Sequence, residues 1–108
     1  MNQNPGWVKI AGVNENFFFN KGGIATFNVE GQKICIIKTK NGLKACSSLC
    51  PHASGDLSEG FLDKRENIVC PVHGYHFNLD HGRDTNNEGY FLKIFRVKEN
   101  EEGIFVEM

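Results

Sequence analysis

The chain lacks the features that mark a membrane, exported or nucleic-acid-binding protein. Its 108 residues contain no apolar run long enough to cross a bilayer, since the three phenylalanines at residues 17–19 are far too few. The formal charge is −1 and the lysines are scattered, so no basic face is available for nucleic acid. Residues 1–12 lack a basic segment followed by an apolar run, so we expect no signal peptide and a cytoplasmic protein.

Helical periodicity is also missing, because no stretch of about twelve residues has apolar residues at helical spacing. Short β-branched runs alternate instead with glycine and asparagine. We therefore predict an all-β fold, an antiparallel sandwich or barrel of short strands with a small cluster-binding subdomain. At 108 residues and 40% hydrophobic content, one domain with a small core is expected, without a large buried substrate cavity.

Eight runs have strand character: residues 7–10, 24–29, 33–38, 43–46, 67–69, 75–79, 91–97 and 104–106. The run 91–97 is the longest candidate, and the phenylalanines are expected in the core. Asn41-Gly42 favours a type I′ hairpin. In that register Cys35 faces Ser48 rather than Cys46, so we predict buried thiols and no disulfide.

Two short motifs carry the chemistry: Cys50-Pro51-His52, and the CPVH of residues 70–73. Thiolates and imidazoles suit zinc, copper and iron–sulfur centres, and they do not suit calcium or magnesium. Without an export signal, metal binding is a better explanation of the cysteines than disulfides. A structural zinc usually takes two cysteines from one knuckle. Here each loop offers one cysteine and one histidine, which is natural if each loop spans two metals, although a zinc-stabilised binding module remains an alternative.

These motifs resemble the Rieske pattern, C-x-H followed by C-x-x-H. Residues 57–60 (LSEG) and 73–77 (HGYHF) are similar to soluble Rieske-type ferredoxins. The resemblance implies that residues 1–108 are a single Rieske domain, with a cluster-binding subdomain at about 46–80. It also implies one 2Fe–2S cluster per chain, with Cys50 and Cys70 on the inner iron and His52 and His73 on the outer iron.

Two neutral imidazoles in place of two thiolates remove negative charge, so the reduction potential rises above that of all-cysteine ferredoxins. Gly55 and Gly74 are expected to let the backbone approach the cluster, where N–H groups can donate to sulfur. His76 and His81 are expected to be surface residues.

Differences from the motifs of other Rieske proteins narrow the choice among branches of the family. Rieske subunits of quinol-oxidising complexes have one extra cysteine in each loop, where this chain has Gly55 and Val72. Those subunits also place a serine and a tyrosine hydroxyl near the cluster, at the positions of Tyr75 and Phe77. Phenylalanine has no hydroxyl, and a tyrosine ring at 75 is not expected to put its hydroxyl where the serine's would be. Fewer donors stabilise the reduced cluster less, so we expect a reduction potential near the low end of the Rieske range, about −150 mV. Rieske oxygenases often have arginine and tryptophan at the positions of Ala53 and Tyr75. We find no 2-His-1-carboxylate set, so the chain is not expected to be an oxygenase itself.

The resemblance therefore implies a soluble one-electron carrier without catalytic residues, monomeric when free. It would pass electrons from a flavin reductase to a terminal oxygenase. The alternative is a small Rieske subunit of a reductase complex such as assimilatory nitrite reductase. Neither nucleic acid nor a membrane is an expected partner.

Overall fold

The computed structural model describes residues 6–12, 19, 23–52 and 55–108. The strands in these ranges are β1 (Trp7–Ala11), β2 (Ile24–Val29), β3 (Gln32–Thr39), β4 (Gly42–Ser47), β5 (Phe61–Leu62), β6 (Ile68–Val69), β7 (His76–Phe77), β8 (Ile94–Phe95), β9 (Val97–Asn100) and β10 (Gly103–Glu107). Within the same ranges, one 3₁₀ turn covers Leu57–Glu59. No helix in the described ranges could cross a membrane. The all-β prediction is confirmed.

The strands form three antiparallel sheets. The first has the order β1-β10-β9, the second β2-β3-β4-β8, and the third β5-β6-β7. The third sheet is short, and its strands lie on either side of the second Cys/His motif: β6 ends at Val69 and β7 begins at His76. The second motif therefore lies in the connection between β6 and β7, and the first lies in the connection that follows β4.

Strand β3 is central because both of its faces are covered. Ile34 and Ile36 pack into a core with Val106 of the first sheet, whereas Cys35 and Ile37 pack into a second core. Alternate residues of a strand point to opposite faces, so a continuous apolar run fits a strand that is buried on both sides. The second core also contains the cysteines of the two motifs. Strand β3 thus lies between the core shared with the first sheet and the core that contains the motif cysteines.

The predicted hairpin register is wrong, because the two turn residues lie one position earlier in the chain than predicted. Cys35 lies directly opposite Cys46, and Thr39 lies opposite Gly42. Lys40 and Asn41 form the turn, and Gly42 rather than Asn41 takes the positive φ, at +106°. The Thr39 hydroxyl accepts from the Asn41 N–H at 3.2 Å and donates to the Gly42 carbonyl at 2.7 Å, which stabilises this turn.

The prediction of buried, unbridged thiols is nevertheless confirmed. Cys35 and Cys46 are fully buried, and none of the four cysteines, all within the described residues, is in a disulfide. The hydrogen bond with Cys35, together with burial, raises the pKa of the Cys46 thiol well above its usual range.

The run 91–97 is not the longest strand, because it passes between sheets. Ile94 and Phe95 pair with β4, and Val97 starts a new strand against β10. Arg96 separates the two strands. The apolar character of the run is real, but it serves two sheets rather than one. Strand β3, with eight residues, is the longest of the described strands.

The expectation that the phenylalanines form the core is only partly correct. Phe77 and Phe95 are buried, whereas Phe61 and Phe91 are more than half exposed. Phe61 lies in the edge strand of the third sheet. The Arg83 guanidinium lies 5.2 Å from the centre of the Phe91 ring, a cation–π contact. Residues 17 and 18 lie outside the described ranges.

Candidate metal centre

The two Cys/His motifs form loops that close in the same way. The Cys50 N–H donates to the Gly55 carbonyl at 2.9 Å, and the Cys70 N–H donates to the Tyr75 carbonyl at 2.8 Å. In each loop the cysteine therefore pairs with the residue five positions later. The cysteine stands at the base of the loop, and the histidine lies in the span between. The loops thus present equivalent thiol and imidazole groups.

Burial separates the thiols from the imidazoles. Cys50 and Cys70 are buried in the second core, whereas His52 is half-buried and His73 is exposed. The two imidazole rings meet edge to face, with their centres 5.0 Å apart at an interplanar angle of 80°. The fold therefore brings the two motifs into contact, with the thiols buried and the imidazoles nearer the surface.

Gly55 is required by the contact between the loops. A Cβ at this position would lie 2.9 Å from the Cys70 sulfur and 2.6 Å from Cγ2 of Val72. It would also lie 3.4 Å from the Val72 Cβ, so the two positions at which related subunits have extra cysteines are neighbours here. Gly74 is required for another reason, its φ of +74°. Its N–H donates to the Cys70 carbonyl at 2.9 Å, so that N–H serves the turn.

The residues fit a two-iron cluster. Among the described side chains, His52 Nδ1 is a buried polar atom with no hydrogen-bond partner. Such an atom is costly unless water or a bound group satisfies it, and a ligand role would do so. The described part of the chain contains no group of three or more His, Cys, Asp or Glu side chains placed to hold one ion. A Rieske cluster needs two thiolates at one iron and two imidazoles at the other, and the two loops contain these four groups.

Two tyrosines surround His52. The Tyr75 ring stacks on the imidazole with the ring centres 3.8 Å apart and an interplanar angle of 21°. Tyr90 stands edge-on to His52 at 5.1 Å and edge-on to Tyr75 at 5.5 Å. The Tyr75 hydroxyl donates to Glu88 Oε1 at 2.5 Å, and this hydrogen bond raises the pKa of Tyr75 to about 12. That hydroxyl is therefore used by Glu88, in agreement with the expectation that position 75 supplies no serine-like donor.

His76 is more than a surface residue, because it pairs with Asp63. His76 Nδ1 lies 2.6 Å from Asp63 Oδ2. Desolvation of Asp63 favours a higher pKa, but hydrogen bonds from His76, Asn67 and Arg65 outweigh it and lower the pKa to about 2. The pair joins β7 to the turn between β5 and β6, and so braces the sheet that carries the second loop. His81 is exposed, as predicted.

The sequence reasoning did not identify the loop of residues 84–90 as part of the site. The run DTNNEG is rich in turn-forming residues, which predicts a loop. It does not show that Glu88 reaches Tyr75 or that Tyr90 reaches His52. Those contacts depend on long-range packing.

Comparison with known proteins identifies a matching family and related proteins. The family model described as the Rieske [2Fe-2S] domain matches residues 6–90. The ferredoxin component of a naphthalene 1,2-dioxygenase system from Pseudomonas aeruginosa is 33% identical over 77 residues, which cover 71% of this chain and 70% of that protein. Cholesterol 7-desaturase from Bombyx mori is 26% identical over 94% of this chain, but the match spans only 23% of the desaturase.

A solved structure shows the same likeness. It is a complex of reduced oxygenase and oxidised ferredoxin in carbazole 1,9a-dioxygenase. The matching chain has a TM-score of 0.76 at 27% identity, with 96% of this chain and 94% of that chain covered.

Proposed function

Because the chain belongs to the Rieske [2Fe-2S] domain family, we propose that it is a soluble one-electron carrier that passes electrons from a flavin-dependent reductase to a terminal oxygenase. The observation that carries the proposal is the division of the site into two buried thiols and two less buried imidazoles, of which His73 is exposed. The similarity to ferredoxin components of oxygenase systems supports the acceptor. The chain itself is an electron-transfer component and makes no bonds in a substrate.

Cys50 and Cys70 would hold the inner iron of one 2Fe–2S cluster, and His52 and His73 the outer iron. When bound, such a cluster accepts and returns a single electron. The buried thiols keep the inner side away from water, and the neutral imidazoles limit the negative charge. The orphan Nδ1 of His52 supports its role as a ligand atom.

Two exposed apolar side chains adjoin the Cys/His motifs in sequence. Leu49 and Val72, next to the two cysteines in sequence, are 59% and 51% exposed. Exposed apolar side chains of this kind are typical of surfaces at which a protein partner docks. We assign the docking face to these residues and His73.

Further parts of the proposal concern the whole chain. Residues 1–108 form a single Rieske domain with a cluster-binding subdomain at about 46–80, and the free protein is a cytoplasmic monomer. The unbridged thiols Cys35 and Cys46 agree with a reducing compartment. The alternative, a small subunit of a reductase complex such as nitrite reductase, would run with its partner on size exclusion.

An anaerobic redox titration followed by EPR, repeated at several pH values, tests the carrier role. We expect one-electron behaviour with a Rieske signal at about −150 mV and little pH dependence near neutrality. A high and pH-sensitive potential would contradict the low-potential branch. A metal-loaded sample without any reducible signal would contradict the assignment of a 2Fe–2S cluster and favour the zinc-stabilised binding module.

A further inference from the structure

The loop of residues 84–90 is held in one shape by the carboxylate of Asp84, which is buried. Its Oδ1 accepts from the backbone N–H groups of Asn86 at 3.1 Å and Glu88 at 2.9 Å, and its Oδ2 accepts from that of Tyr90 at 2.9 Å. The Asp84 N–H in turn donates to the Tyr90 carbonyl at 3.1 Å. One side chain therefore ties both ends of the loop together.

The same loop is attached to the strand that follows the second Cys/His motif. The Thr85 N–H donates to the His76 carbonyl at 2.9 Å, and Asp84 bridges to Phe77 in antiparallel fashion. Strand β7 consists of His76 and Phe77, only three residues after His73. The loop thus lies beside the candidate metal centre, although it is ten or more residues away in sequence.

The loop places one group, Tyr90, against His52 and another, Glu88, against Tyr75. Glu88 accepts a hydrogen bond from the Tyr75 hydroxyl and so fixes the ring that stacks on His52. Tyr90 packs edge-on against both His52 and Tyr75. His52 is half-buried beside the Tyr75 and Tyr90 rings, whereas His73 is exposed. The two imidazoles, which would bind the same iron, therefore differ in their surroundings.

We propose that the 84–90 loop is a cover that positions His52 and shields it, so that the partner reaches the outer iron through His73. Asp84, Glu88 and Tyr90 are positioning residues, since Asp84 shapes the loop while Glu88 and Tyr90 hold Tyr75 and the imidazole in place. The inference rests on the proposed ligand roles of the two histidines. It goes further by making them unequal.

Labelling of the oxidised, cluster-loaded protein with diethyl pyrocarbonate, read by peptide mass spectrometry, tests the cover. We expect His52 to react about tenfold more slowly than His73, because two ring contacts must open first. Glu88→Ala should speed the reaction at His52 about fivefold, through loss of one hydrogen bond, and leave His73 unchanged. Glu88→Gln keeps an acceptor for the hydroxyl and should restore protection. Glu101→Ala, in the exposed turn between β9 and β10, is the matched control.

Equal reaction rates at His52 and His73 in the wild-type protein would overturn the proposal, and so would a Glu88→Ala protein with His52 still protected. If Glu88→Ala does not fold, Tyr75→Phe removes the same hydrogen bond while keeping the ring, and the same increase at His52 is required. The cover consists of contacts within the protein, so the iron-free chain should also protect His52. A failure of the carrier role would appear in the redox titration, and a failure of the cover would appear in the labelling.

Discussion

Substitution of Gly55 by alanine tests how closely the two loops are packed. The new Cβ would lie 2.9 Å from the Cys70 sulfur and 2.6 Å from Val72 Cγ2, well inside ordinary contact distances. Val72 is half-exposed and can rotate away, but Cys70 is fully buried and cannot. Gly55 does not have a positive φ, so the cost is steric. Overpacking of this kind costs about 1–3 kcal/mol.

The contact with Cys70 should also affect cluster assembly. We expect Gly55→Ala to lower the free energy of unfolding by about 2 kcal/mol and to reduce the iron bound per chain. The assays are urea unfolding, iron analysis and visible absorbance. Adding Val72→Ala should relieve only the contact with Val72, so the double variant should still bind less iron.

Gly31→Ala is the control for Gly55→Ala. Gly31 has a φ of +85°, and a Cβ added there would have nothing within 4 Å, so its alanine variant carries backbone strain without a clash. That strain amounts to about 1–2 kcal/mol. The variant should lose stability but keep its full iron content. A Gly55→Ala protein with wild-type iron content and stability would refute the close packing of the loops against Cys70.

Two further predictions concern residues outside the proposed ligand set. Asp63→Asn should cost about 1–2 kcal/mol at neutral pH, because the lowered pKa of Asp63 stabilises the fold above about pH 4 and this contribution is lost as the pH falls toward 2. Urea unfolding of both proteins across this range should show the difference shrinking, whereas a constant difference would contradict the role of the His76–Asp63 pair. Cys46→Ala should cost about 1 kcal/mol for a small cavity beside Cys35 but leave the EPR signal and potential unchanged. Loss of the signal would instead make Cys46 a ligand.

The candidate loops could be predicted from the sequence because their chemistry is local. A cysteine and a histidine within one turn define a donor set wherever the turn lies. The buried run around Ile34–Ile37 was also recognisable, since a strand covered on both faces has no polar alternation. Both features need little knowledge of the rest of the chain.

The register and the cover could not be predicted, because each depends on contacts that the local pattern does not show. The turn lies at Lys40 and Asn41, where the Thr39 hydroxyl hydrogen-bonds across it, rather than at Asn-Gly as the local pattern favours. The change of sheet at Arg96 depends on which strands lie nearby. The contact of Glu88 with Tyr75 joins residues thirteen apart in sequence, through a loop that one buried carboxylate shapes.

The most direct measurement of the central claim is pulsed EPR of the reduced protein with ¹⁵N-labelled histidine. If His52 and His73 both hold the outer iron, the spectrum should show two strongly coupled nitrogens, and His52→Cys and His73→Cys should each remove one of them. Their potentials should also fall, because each substitution returns a negative charge to the site. A wild-type spectrum with no coupled histidine nitrogen, or one unchanged by His73→Cys, would contradict the assignment of the site.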